Sequence, residues 1–280
     1  MSTGATHAAQ APGDVVALAH PWVRRLLRLG FAARGILYSL IGLLTLWSIV
    51  RSGSRAHGGV NTTFASIQAV APGMVLLAGL ALGFAGFAVG MMWTAIFDWN
   101  FEGTKPSGLL RRAGSFIVGV VHLSLTASTV LLAAGHQPQG HGARRWTELL
   151  LSYPFGRAGV AIGGLYAIGY GLFLMVKVWT GKLDPLLDLS SLPKGKALAA
   201  NWIGRFGMLS RGIIYATIGV VLAFAGWRGD GSNVVGIGGA MRKVSQEVYG
   251  VAWLAVVASG LVAYGLFMFI EARYRRMGQG

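Results

Sequence analysis

The segment RLGFAARGILYSLIG, residues 28–42, returns 177 positions later as RFGMLSRGIIYATIG. Arg28, Gly30, Arg34, Gly35, Tyr38 and Gly42 are answered by Arg205, Gly207, Arg211, Gly212, Tyr215 and Gly219. The offset continues without insertion into the next apolar segment, where Gly73 and Gly83 match Gly250 and Gly260. A register held over that length predicts a duplicated structural unit. A more divergent third copy lies between the two. There RRAGSFIVGVVHLSLT aligns Arg112, Gly114 and Gly119 with Arg28, Gly30 and Gly35, and Gly156 then matches Gly73 and Gly250. In this copy Val118 replaces the inner arginine, His122 the tyrosine and Thr126 the last glycine.

Only 12% of the 280 residues are charged and 54% are hydrophobic, whereas soluble domains carry about 25% charge. Such a chain cannot cover itself with a water-facing surface. Six apolar runs, at about 29–50, 74–97, 113–134, 157–178, 206–227 and 251–270, are each near the ~20 residues that cross a hydrocarbon core. In lipid each run must satisfy its own backbone, so each is a helix. The expected fold is an all-α polytopic membrane protein, its six transmembrane helices arranged as three repeated hairpins of the same orientation. The corresponding units are a disordered cytoplasmic tail at 1–20, then hairpins at 21–104, 105–190 and 191–280. The tail is small, polar and proline-containing, without the basic start and apolar core of a signal peptide.

The tail, the loops after spans two and four, and the carboxyl end hold 14 Lys and Arg, against 8 on the opposite loops. That bias predicts both termini in the cytoplasm. Nine tryptophans near the predicted span ends fit an interfacial aromatic belt. Short amphipathic pieces, NTTFASIQAV, WTELLLSY and AMRKVSQEVY, precede the even spans. Each is either a helix on the outer membrane surface or the first turn of its span.

Cysteine is absent, which removes disulfides and thiolate chemistry. No zinc-protease, nucleophile-elbow or phosphate-loop pattern occurs, and no span carries paired carboxylates. Neither catalysis nor a cofactor is expected, and GIGG at 236–239 reads as a loop. His57, His136 and His141 lie on outer loops with irregular spacing, so no metal site is expected there either. The basic residues flank membrane ends, which points to anionic lipid headgroups on the cytoplasmic face and not to nucleic acid.

The repeated motif, Ala33, Arg34, Gly35, Tyr38 and Ser210, Arg211, Gly212, Tyr215, with the downstream turn Pro154, Phe155, Gly156, resembles the bacterial membrane family called domain of unknown function 1206. The resemblance covers nearly everything after residue 20. It implies repeated two-span units and a multi-pass protein of the bacterial inner membrane, and it brings no activity with it. The second copy departs from the motif at Val118 and His122.

Arg34 and Arg211 are the first candidates for a functional role, because charge within a span is costly. About five residues into their spans, they snorkel to the interface, join a polar network with Glu271, whose second-copy counterpart is Lys177, or contact a substrate or ion directly. Tyr38 and Tyr215 follow four residues later on the same helix face. His122, near the middle of the third span, is either a hydrogen-bonded packing residue or a proton or ion relay. Gly79 with Gly83, Gly86 with Gly90, and Gly159 with Gly163 have the small-residue spacing of close helix contacts, within the bundle or in a homo-oligomer or membrane-protein complex. The expected role is structural or accessory, or lipid-interacting, without catalysis. The alternative is a channel or transporter for a small solute or ion.

Overall fold

The computed structural model describes residues 12–52, 60–69, 73–98, 103–136, 142–180, 187–234, 237 and 249–275. Its helices are α1 (Pro12–Ser52), α2 (Val60–Gln68), α3 (Gly73–Ile96), α4 (Pro106–Ala133), α5 (Gly142–Leu151), α6 (Gly156–Trp179), α7 (Lys194–Arg228) and α8 (Gly250–Tyr274). Six of them, all but α2 and α5, are long and apolar enough to span a membrane, so the all-α, six-span, three-hairpin architecture holds.

The odd spans begin well before their apolar runs, at Pro12, Pro106 and Lys194. Hydropathy falls where Arg24, Arg25, Arg111, Arg112 and Lys196 enter, yet helix propagation tolerates Arg, Lys, Leu and Ala without penalty. Residues 12–20 are likewise helical and continuous with α1, whereas a disordered tail was expected through residue 20; residues 1–11 lie outside the described residues. Extending an existing helix adds a hydrogen bond per residue without a new nucleus.

Around the bundle the helices run α4, α3, α1, α8, α7, α6, each packed along the next. Three of these contacts join one copy to the following one in cyclic order: α3 with α4, α6 with α7, and α8 with α1. The motif glycine sits in all three. A Cβ at Gly119 would lie 3.2 Å from the Ala88 carbonyl oxygen, one at Gly212 2.8 Å from that of Gly171, and one at Gly35 3.0 Å from that of Gly265. Ala88, Gly171 and Gly265 occupy equivalent places in the three even spans. Backbone therefore rests on backbone, which gives helices in lipid the dispersion contact that apolar side chains alone do not supply.

The α6/α7 contact shows the pattern at full length. Gly171 faces Gly212, Gly164 faces Gly219, and Gly226 meets the backbone of Arg157 and Ala161, so the contact recurs every seven residues along α7. Seven-residue spacing keeps one seam on the partner helix. The pairs expected from GxxxG spacing divide differently. Gly83 lies against Ala33, and Gly86 and Gly90 against Leu26 and Leu27, so these three pack α3 on α1. Gly79, Gly159 and Gly163 are exposed and meet nothing within 4 Å. They do not pack helices within the chain. On α6 the contact face is set by Gly164, one residue and about 100° of rotation away from Gly163.

Within the hairpins, α1 packs on α3 and α7 on α8, but α4 and α6 do not pack along one another. The cause is local. In copies one and three a small residue faces a glycine, Ala33 at Gly83 and Ser210 at Gly260. The equivalent pair in copy two is Ile117 and Tyr166, both exposed. Two large side chains wedge the helices apart, and Gly114 meets only the Tyr166 hydroxyl, 3.0 Å from where its Cβ would stand. The most apolar windows of α4 and α6 are 22% buried, against 50% for α1, α3 and α8. Three hairpins thus close into a ring with one loose seam.

The pieces preceding α3 and α6 are separate helices, α2 and α5. Phe64 and Ile67 of α2 are buried in the core with Phe84 and Leu132, and Gln68 Nε2 donates to the Leu132 carbonyl, 3.1 Å. Hence α2 folds over the end of the bundle and presents its apolar pair inward. Gly73 and Gly156 permit the bend, because a Cβ there would collide with the carbonyls of Ile67 and Leu150. Of the third piece, residues 240–248 lie outside the described residues. Seven tryptophans, Trp22, Trp47, Trp146, Trp179, Trp202, Trp227 and Trp253, are exposed near the ends of the apolar runs, where an aromatic belt belongs.

Replacing Gly164 by leucine is expected to lower stability by about 1–3 kcal/mol or more through overpacking, while the same change at Gly163 is close to neutral. Thermal unfolding of the two variants in neutral detergent checks the assignment.

Candidate functional site

Inside the ring each odd span carries one aromatic ring at an equivalent place, Tyr38, His122 or Tyr215. Each packs on an aromatic of the preceding copy's even span. Tyr38 meets Tyr264 edge-on at 5.0 Å between centroids, Tyr215 meets Tyr170 at 5.3 Å, and His122 meets Phe87 at 4.6 Å, tilted by 57°. Tyr264, Tyr170 and Phe87 are themselves equivalent positions. Three like contacts arise because the interface between copies is built three times. Edge-to-face aromatic pairs contribute about 0.5–1.5 kcal/mol each beyond their burial.

Two cations enter this aromatic layer. Arg34, 6% exposed, donates from Nη2 to the Tyr264 hydroxyl at 2.9 Å. Arg211 donates from Nη1 to the same hydroxyl and from Nη2 to the Tyr215 hydroxyl at 2.8 Å. Arg34 Cζ stands 4.8 Å over the Phe87 ring, and Arg211 Cζ stands 4.8 Å over Tyr264 and 4.9 Å over Tyr215. The layer thus holds both guanidiniums by phenol oxygens and ring faces, at sites where cation–π attraction grows as water is excluded. Each arginine retains a buried Nε with no hydrogen-bond partner.

The remaining candidates have other surroundings. His122 is 8% exposed and its Nδ1 lies 2.8 Å from the Val118 carbonyl oxygen. A carbonyl only accepts, so Nδ1 carries the proton and Nε2 is left as an acceptor. Phe87 packs against both this imidazole and the Arg34 guanidinium. Glu271 is buried near the end of α8, where Arg275 Nη1 approaches its carboxylate at 3.3 Å. That pair lies where the segment after α6 is tied to α8, the Asp188 amide donating to the Tyr274 carbonyl at 3.1 Å. Lys177 sits in the last turn of α6 with its ammonium 6.0 Å from the Phe173 ring centroid. The structure therefore gathers Arg34, Tyr38, Arg211 and Tyr215 around Tyr264, sets His122 beside them, and leaves Lys177 and the Glu271–Arg275 pair at the helix ends. Among the described residues no group of three His, Asp or Glu is placed to hold a metal ion.

Tyr264 and Tyr170, the central acceptor and its counterpart, are not among the residues singled out from the sequence. A signal was present: YGLF occurs at 170–173 and again at 264–267.

Fold and cluster together define a polytopic membrane protein made of three copies of one two-span unit. The chain belongs to the family described as Domain of Unknown Function (DUF1206), which matches residues 29–98, 113–181 and 206–275, one match for each copy. It is similar to the uncharacterized protein YxxB of Bacillus subtilis (strain 168), with 27% identity over 262 residues, 92% of this chain and 93% of the relative. No solved structure matches it.

Tyr264→Phe removes the acceptor shared by the buried Arg34 and the half-buried Arg211 and is expected to cost about 3 kcal/mol, the upper range for stranding a buried donor. Tyr170→Phe leaves both arginines their acceptor and is expected to cost less than about 1 kcal/mol. Unfolding of both variants in the same detergent measures the difference.

Proposed function

We propose that this protein is a structural or accessory component of the bacterial inner membrane, lipid-interacting and non-catalytic, with both termini in the cytoplasm. The observation that carries the reading is the disposition of its intramembrane charge. Arg34 and Arg211 are turned inward and hydrogen-bonded to phenols in a packed layer. A wet transport path instead keeps ionisable groups on a cavity wall. The three interfaces between copies are made backbone to backbone, which suits a rigid frame more than a rocking one. The seam between α4 and α6 then offers the bilayer, or a second membrane protein, an apolar wall of Ile117, Ile162, Tyr166 and Phe173. Basic residues at the helix ends, Arg24, Arg25, Arg111, Lys194 and Lys196 among them, are suited to anionic headgroups on one leaflet.

A channel or transporter for a small solute or ion is the second reading. One observation favours it: two guanidiniums share the interior with no carboxylate on either, among the described residues.

Flux across reconstituted vesicles separates the two. The accessory role predicts solute and ion leakage equal to that of empty vesicles. Leakage above that level which disappears in His122→Ala or Arg211→Ala would transfer the protein to the second reading. The absence of native cysteine makes orientation equally direct to measure. Ser2→Cys and Gly280→Cys are both expected to react with impermeant maleimide only after the cytoplasmic face is exposed, and labelling of either from the outside contradicts the assignment.

A further inference from the structure

Arg34 and Arg211 reach the same oxygen from two different copies of the repeat. The Tyr264 hydroxyl accepts from Arg34 Nη2 and from Arg211 Nη1. A phenol oxygen offers two acceptor sites, so it is filled by these two donors, and it carries no full charge to set against theirs. Both Nε atoms are buried and unpartnered. Among the described residues no carboxylate meets either guanidinium, and the carboxylate at the end of α8, Glu271, is engaged by Arg275. Two like charges converge there, one on the buried Arg34 and one on the half-buried Arg211; they repel one another, and each lacks the counter-charge that buried ions ordinarily keep. The third equivalent position holds Val118, so the threefold pattern places two cations and one neutral side on the aromatic layer.

The layer is also linked to the loose seam. Tyr166, whose hydroxyl stands at Gly114 in the seam, stacks on Tyr170 at 6.4 Å between centroids. Tyr170 meets Tyr215, and Tyr215 accepts from Arg211. Aromatic rings with hydroxyl tips therefore run from the seam to the arginines. Guanidinium forks match planar and tetrahedral oxyanions through paired N–H groups, and phenol hydroxyls can donate to the same oxygens.

We infer that the Arg34–Arg211 pair is an oxyanion-binding site, taking a phosphate or carboxylate group between the two guanidiniums from the side of the α4/α6 seam. The site does not depend on the accessory role, since vesicle leakage in either direction leaves its occupancy open to measurement.

The test uses the full chain, delipidated in neutral detergent, with thermal unfolding as readout. Inorganic phosphate is titrated in one arm at constant ionic strength set by chloride, and phosphatidylglycerol in mixed micelles in the other. A saturable rise in unfolding temperature is expected in at least one arm. A response to phosphate identifies a free solute as sufficient, and a response to phosphatidylglycerol alone identifies a lipid headgroup. Arg34→Gln and Arg211→Gln are expected to abolish the rise. Should either variant fail to fold, Arg34→Lys and Arg211→Lys keep the charge and lose the fork. Their half-saturating concentration is expected to increase on the order of tenfold, as for loss of one charge-assisted hydrogen bond. No saturable rise in either arm, an equal rise in folded Gln variants, or an unchanged half-saturation in the Lys variants overturns the inference.

Discussion

The contact on which this structure rests is the one between the motif glycine of an odd span and the backbone of the preceding copy's even span. Gly35, Gly119 and Gly212 each bring a helix against Gly265, Ala88 and Gly171. Burial of apolar area contributes little between helices already in lipid, so close approach and dispersion must hold the bundle. Small residues permit that approach only where both helices carry them. Repetition of one compatible pair three times therefore determines which helices are neighbours. Hairpin partners come second, and in copy two they have separated.

That separation follows from exchanging two small residues for Ile117 and Tyr166, and it has an electrostatic counterpart. The same copy replaces the inner arginine by Val118 and the tyrosine by His122. A strict threefold would have crowded three guanidiniums onto one aromatic layer, with repulsion that few phenols would offset. Two arginines share Tyr264, and the third position is apolar beside an imidazole whose proton is directed to the Val118 carbonyl. Divergence in the middle copy thus relieves both a packing rule and a charge rule that symmetry would have imposed.

Much of the fold was legible in the residues. The 177-residue register, span length and low charge fixed three hairpins, because each reflects a constraint that acts locally along the chain. Helix starts were less legible, since apolar windows stop at the first arginine while helix geometry does not. Among glycines, spacing identified Gly83, Gly86 and Gly90 as contacts within the chain, while Gly159 and Gly163 meet no helix of the chain, because a four-residue pair reports closeness on a helix and not the direction of its neighbour. Arg34, Arg211, Tyr38 and Tyr215 were legible as charged and polar residues in an apolar setting. Their meeting point, Tyr264, was not, because it depends on the cyclic order of copies, which no single segment encodes. The repeat of YGLF was the available hint. A network joining Glu271 to Arg34 or Arg211 was one of the alternatives the sequence left open, and its place in the last turn before Arg275 favours an i,i+4 pair within the helix instead.

The cyclic order also bears on how the polypeptide is assembled at the ribosome. The seat for α1 is built largely by α8, which follows the other seven described helices along the chain. Until α8 is made, α1 has only α2 and α3 to pack against, and the seat of Gly35 is unfilled. Arrival of the α7–α8 hairpin then seats Gly35 on Gly265 and joins the first copy of the unit to the third.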